Sequence, residues 1–183
     1  FKVGVDKVGS ILREEYEEIG FTCKKIQEEK VGNHLMLQHK TVDKPSILLI
    51  AHMDTVFKEG TADERPFYIE GNRAYGPGVA DMKGSQVTLL YAMKYLLENS
   101  PESLKKVMIL LNSDEEIGSP TSRKIIEKLS VKVEYALVME PARKDGSIVT
   151  SRRGGGTYKL RITGKSAHSG VAPQDGHSAI EEM

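Results

Sequence analysis

Cysteine is almost absent from this chain of 183 residues, with Cys23 standing alone. No internal disulfide framework can therefore hold the fold. Long apolar runs are missing as well. Nothing approaches the roughly 20 consecutive apolar residues that span a bilayer, so no membrane-spanning segment is expected. Neither sign of charge is in excess: Lys+Arg and Asp+Glu both number 26, and the pI is about 7.2. A basic footprint for nucleic acid or for an acidic membrane surface is lacking. The glycine loop at Gly76 and Gly78 has no following Gly-Lys-Ser/Thr and no Gly-x-x-Gly continuation, which rules out a phosphate loop. Ser113 has no Gly-x-Ser-x-Gly elbow around it, so a serine nucleophile gains no support. The chain opens at Phe1 without a signal-peptide pattern. A cytoplasmic location is the expectation, with a secreted or periplasmic one left open by the non-methionine start. The chain is expected to be a fragment of a longer protein, because a helix has only begun when Met183 is reached.

What the sequence does contain is a set of apolar runs that share one kind of ending. Ile47-Leu48-Leu49-Ile50 is an unbroken apolar run, as expected of a strand buried on both faces of a parallel sheet. Polar chemistry starts where it stops, at His52 and Asp54. Two residues apart in extended chain, they point to the same side. A second run, Val107 to Leu111, feeds Asn112-Ser113-Asp114-Glu115-Glu116, and a third, Tyr135 to Met139, runs into Glu140-Pro141. In an open α/β sheet, functional groups gather beyond the carboxyl ends of the strands. A further acid, Asp81, lies in Gly76-Pro77-Gly78-Val79-Ala80-Asp81-Met82-Lys83-Gly84, ahead of an apolar helix.

His52, Asp81, Glu116 and Glu140 form a carboxylate-heavy set with one imidazole. That composition suits a pair of divalent ions sharing a carboxylate better than a structural zinc site, which prefers several cysteines and histidines. Taken singly, each acid is more often a solvated charge or a helix cap. Their placement at the ends of three apolar runs favours the site.

Four segments carry a family likeness: Ala51-His52-Met53-Asp54-Thr55-Val56-Phe57, the glycine loop through Asp81 to Gly84, Asn112-Ser113-Asp114-Glu115-Glu116-Ile117-Gly118-Ser119, and Met139-Glu140-Pro141. In this order they resemble the M20 family of di-zinc peptidases, and within it the glutamate carboxypeptidases of the carboxypeptidase G2 type. The resemblance implies two zinc ions, with manganese or cobalt as substitutes. His52 and Glu140 would hold one, Glu116 the other, and Asp81 would bridge them. Glu115 would be the general base, and Asp54 would orient His52. The family pattern also needs a second histidine ligand, and no residue of this chain fills that role. The implied substrate is a peptide or N-acyl amino acid that loses a C-terminal glutamate or similar residue. Dipeptidase, aminoacylase and deacetylase activities are the alternatives within the family. A non-catalytic or incomplete metal-binding fragment is the alternative outside it.

The rest of the chain supplies the scaffold. Helical spacing places Val5, Val8, Ile11, Leu12, Tyr16 and Ile19 on one face of a helix closed by Gly20. Residues 21–27 and 33–38 read as strands, with His34 and His39 as solvated or packed histidines. Residues 58–65 read as a polar loop, and Gly71-Asn72 as a hairpin turn. Residues 85–98 form a strong helix whose apolar face includes Val87, Leu89, Leu90 and Met93. Ser119 and Pro120 are expected to open a helix that runs to Leu129. The fold class is α/β, a mostly parallel sheet with helices on both faces. Residues 147–152 and 157–163 read as further strands, joined by Arg153-Gly154-Gly155-Gly156. A catalytic domain over 1–152 is therefore expected, followed by the start of a smaller α+β domain over 153–183. The resemblance makes that second part a lid or dimerisation domain, with a helix from Ser178, a homodimer formed through it, and His168 donating to the oxyanion.

Overall fold

A computed structural model describes residues 2–183, and contacts divide the chain into two compact units, Phe1–Asp145 and Gly146–Met183. The first unit is built on a five-stranded sheet in the order β1-β2-β6-β3-β7. Its strands are β1 (Phe21–Ile26), β2 (His34–His39), β3 (Ile47–His52), β6 (Val107–Asn112) and β7 (Tyr135–Val138). The short strands β4 (Tyr68–Glu70) and β5 (Arg73–Tyr75) form a separate hairpin. Strand β3 pairs in parallel with both β6 and β7, whereas β2 is antiparallel to β1 and to β6. Only β2 therefore runs against the others, and the sheet is mixed but mostly of one direction.

Period-two alternation sorts the side chains of the central strands onto two faces. Leu49, Ala51, Val107, Ile109 and Leu111 share one core with Leu12 and Tyr16 of α1 (Lys2–Glu18) and Leu89, Leu90 and Met93 of α3 (Gly84–Asn99). Leu48, Ile50, Met108 and Leu110 face the other way, against Ile125, Ile126 and Leu129 of α4 (Arg123–Ser130). Helices thus cover both faces, as the unbroken apolar runs of β3 and β6 require. Ile109 on β6 has no exposed surface. Ile109→Ala is expected to cost about 2–5 kcal/mol, the usual range for emptying a packed site, read as a lower midpoint in denaturant unfolding.

Several local expectations are corrected. Residues 61–64 form a single helical turn, α2 (Thr61–Glu64), within the stretch expected to be loop. Strand β7 is not buried: Tyr135, Leu137 and Val138 are each more than half exposed, because β7 is a sheet edge paired only with β3. On α1, Ile11 is more than half exposed rather than packed with its neighbours. On α3, Val87 faces outward and Gln86 is buried in its place. Helix α4 begins at Arg123 rather than Ser119, whose φ of 56° lies in the left-handed region. Asp114 replaces the expected serine cap, its Oδ2 accepting from the N–H groups of Thr121 and Ser122.

In the second unit, Gly146–Met183, the expected strands at 147–152 and 157–163 do not form, and neither does the helix from Ser178. The unit carries a 3₁₀ turn at Pro173–Asp175 and one isolated antiparallel bridge between Lys165 and His177. A strand needs a partner ladder and a face to bury. Tyr158 and Leu160, on the alternating segment, are 95% and 79% exposed. The division between units falls after Asp145, ahead of the 152/153 boundary expected from the glycine run.

Candidate metal centre

The parallel strands β3 and β6 end side by side, with His52 in register with Asn112. The backbone N–H of Met53 then donates to the Asn112 carbonyl at 2.8 Å, and that of Met139 to the Ile50 carbonyl at 2.9 Å. These bonds carry the pairing just past the strand ends. The residues that follow, Asp54, Glu115, Glu116 and Glu140, are delivered to one end of the sheet. Asp81 arrives from the glycine loop that precedes α3. Gly78 in that loop has a φ of 73°, and a Cβ there would lie 2.7 Å from the Thr55 methyl, so both backbone shape and space call for glycine.

His52 is the hub, 2% exposed. Its Nδ1 lies 3.0 Å from the Asp54 carbonyl oxygen and 3.4 Å from Asp54 Oδ1. Facing only acceptors, Nδ1 carries the proton and donates to the carbonyl. Nε2 is the nitrogen left to ligate a cation, which would take the place of the Nε2 proton. Nε2 points to Asp81 Oδ1 at 2.9 Å and to Glu140 Oε1 at 3.4 Å. Two groups of ligand atoms share this imidazole: His52 with Glu115 and Glu140, and His52 with Asp81 and Glu116. Within each, the atoms lie within 4.8 Å of one another. The structure thus brings together His52, Asp54, Asp81, Glu115, Glu116 and Glu140. Glu115 stands within ligand distance of His52 and Glu140, a proximity the sequence did not foretell. His168 lies in the second unit, exposed, with its Nδ1 accepting from the Gly170 N–H at 3.2 Å.

The Asp54 carboxylate has a second task. Its Oδ1 accepts the N–H of Glu115 at 3.2 Å and its Oδ2 that of Glu116 at 3.0 Å. Asp54 therefore ties the β3 end to the turn that carries both glutamates. The His52 backbone is held from both sides, its N–H against Met82 Sδ at 3.1 Å and its carbonyl by Gln86 Nε2. Composition gave no reason to single out Met82 or Gln86. Gln86 nevertheless had a signal, being three and four residues before Leu89 and Leu90 on the buried face of α3.

The electrostatics fit a cation. Burial pulls the His52 imidazole down, but the Asp54 and Glu140 carboxylates outweigh it and push it up to about 9. Burial also lifts Asp54, but His52 and the Glu116 N–H bring it below the usual carboxylate range. Glu116 and Glu140 are both raised, first by burial and then by crowding with neighbouring acids, with His52 opposing. Acids crowded around one imidazole repel one another, and a divalent ion relieves that repulsion. Oxygen donors with a single nitrogen suit a divalent cation.

Known proteins resemble this chain over much of its length. The carboxypeptidase G2 of Pseudomonas sp. (strain RS-16) is 34% identical over 182 residues, covering 98% of this chain and 44% of that protein. The acetylornithine deacetylase of Vibrio campbellii is 33% identical over 185 residues, covering 98% and 47%. Among solved structures, an M20 family metallo-carboxypeptidase from Sulfolobus solfataricus superposes with a TM-score of 0.63 at 25% identity, covering 78% of this chain and 34% of that one. The chain spans less than half the length of each. The profile of Peptidase family M20/M25/M40 matches residues 48–180, a span holding all six side chains that converge at the sheet end, and the chain belongs to that family.

Proposed function

We propose that the full-length protein is a zinc-dependent amide hydrolase, a carboxypeptidase that releases a C-terminal glutamate or similar residue from N-acylated or peptide substrates. The observation that carries this reading is the meeting of His52, Asp81, Glu115, Glu116 and Glu140 around shared ligand distances at one sheet end. Peptidases of this family are hydrolytic metalloenzymes. In this reading His52 and Glu140 would hold one ion and Glu116 the second, Asp81 would be shared between them, and Asp54 would orient His52. When bound, the ions supply a Lewis acid for the scissile carbonyl and acidify the attacking water.

Glu115 does the proton work. It is exposed, so substrate and water can reach it, and its backbone is fixed by Asp54. It takes one proton from water as the oxygen adds to the carbonyl carbon. It returns that proton to the amine nitrogen as the C–N bond breaks, so the products are a carboxylic acid and a free amino acid. In the same reading His168 donates to the oxyanion, and residues 153–183 begin a lid or dimerisation domain through which a homodimer forms.

A deacetylase acting on an N-acetyl amino acid is the second reading, favoured by the 33% identity to acetylornithine deacetylase over almost the whole chain. One experiment tests the shared chemistry and separates the two. Full-length protein is stripped with a chelator, reloaded with zinc, and assayed on N-acyl glutamates and N-acetyl basic amino acids. Activity is expected to vanish on stripping and return with zinc, with N-acyl glutamates preferred. Activity indifferent to chelator would refute the metal reading, and preference for the N-acetyl basic substrate would favour the deacetylase.

A further inference from the structure

We infer that a buried relay through His34 and Thr121 positions the Glu115–Glu116 turn, which makes both of them positioning residues for the proposed hydrolysis. The inference rests on that reading for its effect on turnover, though not for the geometry itself.

The relay starts at the end of β6. The Ser113 N–H donates to His34 Nδ1 at 3.1 Å. That bond fixes Nδ1 as the acceptor, so the proton sits on Nε2, which donates to Thr121 Oγ1 at 2.9 Å. The Thr121 hydroxyl hydrogen is then free to donate to Asp114 Oδ2 at 2.8 Å. The same oxygen accepts the N–H groups of Thr121 at 2.7 Å and Ser122 at 3.0 Å. His34, Asp114 and Ser122 have no exposed surface, and Ser113 has almost none. Glu28 Oε1 lies 3.8 Å from His34 Nε2, and the Asp54 carboxylate also faces the imidazole. Three elements are thereby locked together: the first residue of β2, the end of β6 and the approach to α4.

What this lock holds is the root of the catalytic turn. Asp114 immediately precedes Glu115, and its carbonyl accepts the Ser119 N–H at 2.7 Å. The turn is therefore gripped at its base by the relay and at its tip by the Asp54 carboxylate. Two adjacent glutamates need different directions, one toward a metal and one toward a proton. A small rotation of the turn would spoil both. Among the described residues Thr121 is the one side chain that both accepts from His34 and donates to Asp114, whose carboxylate the Ser122 hydroxyl also meets. Asp114 Oδ1 is buried without a hydrogen-bond partner among the described residues, so a lost Oδ2 contact has no substitute on the other oxygen.

Thr121→Val keeps the shape and removes the hydroxyl; Thr121→Ser keeps the hydroxyl. In full-length, zinc-loaded protein, Thr121→Val is expected to lower kcat by about 10–100-fold, the scale for losing a supporting contact behind a site. KM and bound zinc should stay near wild type, and Thr121→Ser should restore most of the rate. Amide hydrogen exchange at Glu115 and Glu116 should speed up in Thr121→Val and not in Thr121→Ser. Wild-type kcat with unchanged exchange in Thr121→Val would overturn the inference. Should Thr121→Val fail to fold, the imidazole nitrogens of wild-type His34 decide by NMR. A slowly exchanging Nε2–H is expected, and an Nδ1–H tautomer would overturn the relay. If wild-type protein hydrolyses no N-acyl amino acid, the proposed function fails, while exchange and tautomer still judge the relay.

Discussion

Glu115→Gln is expected to leave zinc content intact while lowering kcat by about 10²–10⁴-fold, the contribution typical of a positioned general base. The substitution is nearly isosteric and keeps the backbone N–H that donates to Asp54 Oδ1 at 3.2 Å, so the turn should hold its shape. On the proposed assignment Glu116, His52, Asp81 and Glu140 would remain to bind the metals. What disappears is a carboxylate able to accept a proton from water and deliver it to the departing amine. A glutamine amide cannot accept that proton near neutral pH. The measurement pairs steady-state kinetics with elemental analysis of the purified variant. Loss of both metal and rate would instead make Glu115 a ligand, an outcome with a structural basis, since its carboxylate lies within 4.8 Å of the His52 and Glu140 ligand atoms. Turnover close to wild type with full metal would remove Glu115 from the chemistry.

The centre of the fold was legible because β3 and β6 are buried on both faces. Ile47 to Ile50 and Val107 to Leu111 have no polar interruption, as a strand covered on both faces requires. The positions of His52, Glu116 and Glu140 followed from where apolar sequence gives way to polar. Bonds that fix the site were not legible, because they join distant segments through groups without distinctive composition. Asp54 holds backbone N–H groups 61 and 62 residues away, and every residue type but proline offers such an N–H. Gln86 and Val87 exchanged sides because a buried amide with a specific partner looks, in sequence, like a solvent-facing residue. The region after Asp145 was misread for a different reason. Alternation alone proposed strands there, but alternation specifies a strand only where a neighbouring ladder exists to receive it.

His52→Ala is expected to have the broadest effect of any single change at the site, abolishing metal binding and activity together. His52 is the member common to both ligand groups, so its loss removes the only nitrogen from each and leaves carboxylates facing carboxylates. Altering a supporting contact behind a ligand costs about 10–100-fold in metal affinity, and loss of the ligand itself should exceed that. The imidazole also offsets the crowding that raises Glu116 and Glu140. Removing it therefore weakens the grip on the cation twice, by one missing donor and by acids that hold their protons more strongly. The backbone around position 52 should survive, because the Met82 and Gln86 contacts go to main-chain atoms. Zinc titration by calorimetry, alongside circular dichroism to verify the fold, separates these effects. A folded His52→Ala protein that still takes up two zinc ions tightly would show that the cations sit elsewhere, and the assignment of all four ligands would fall with it.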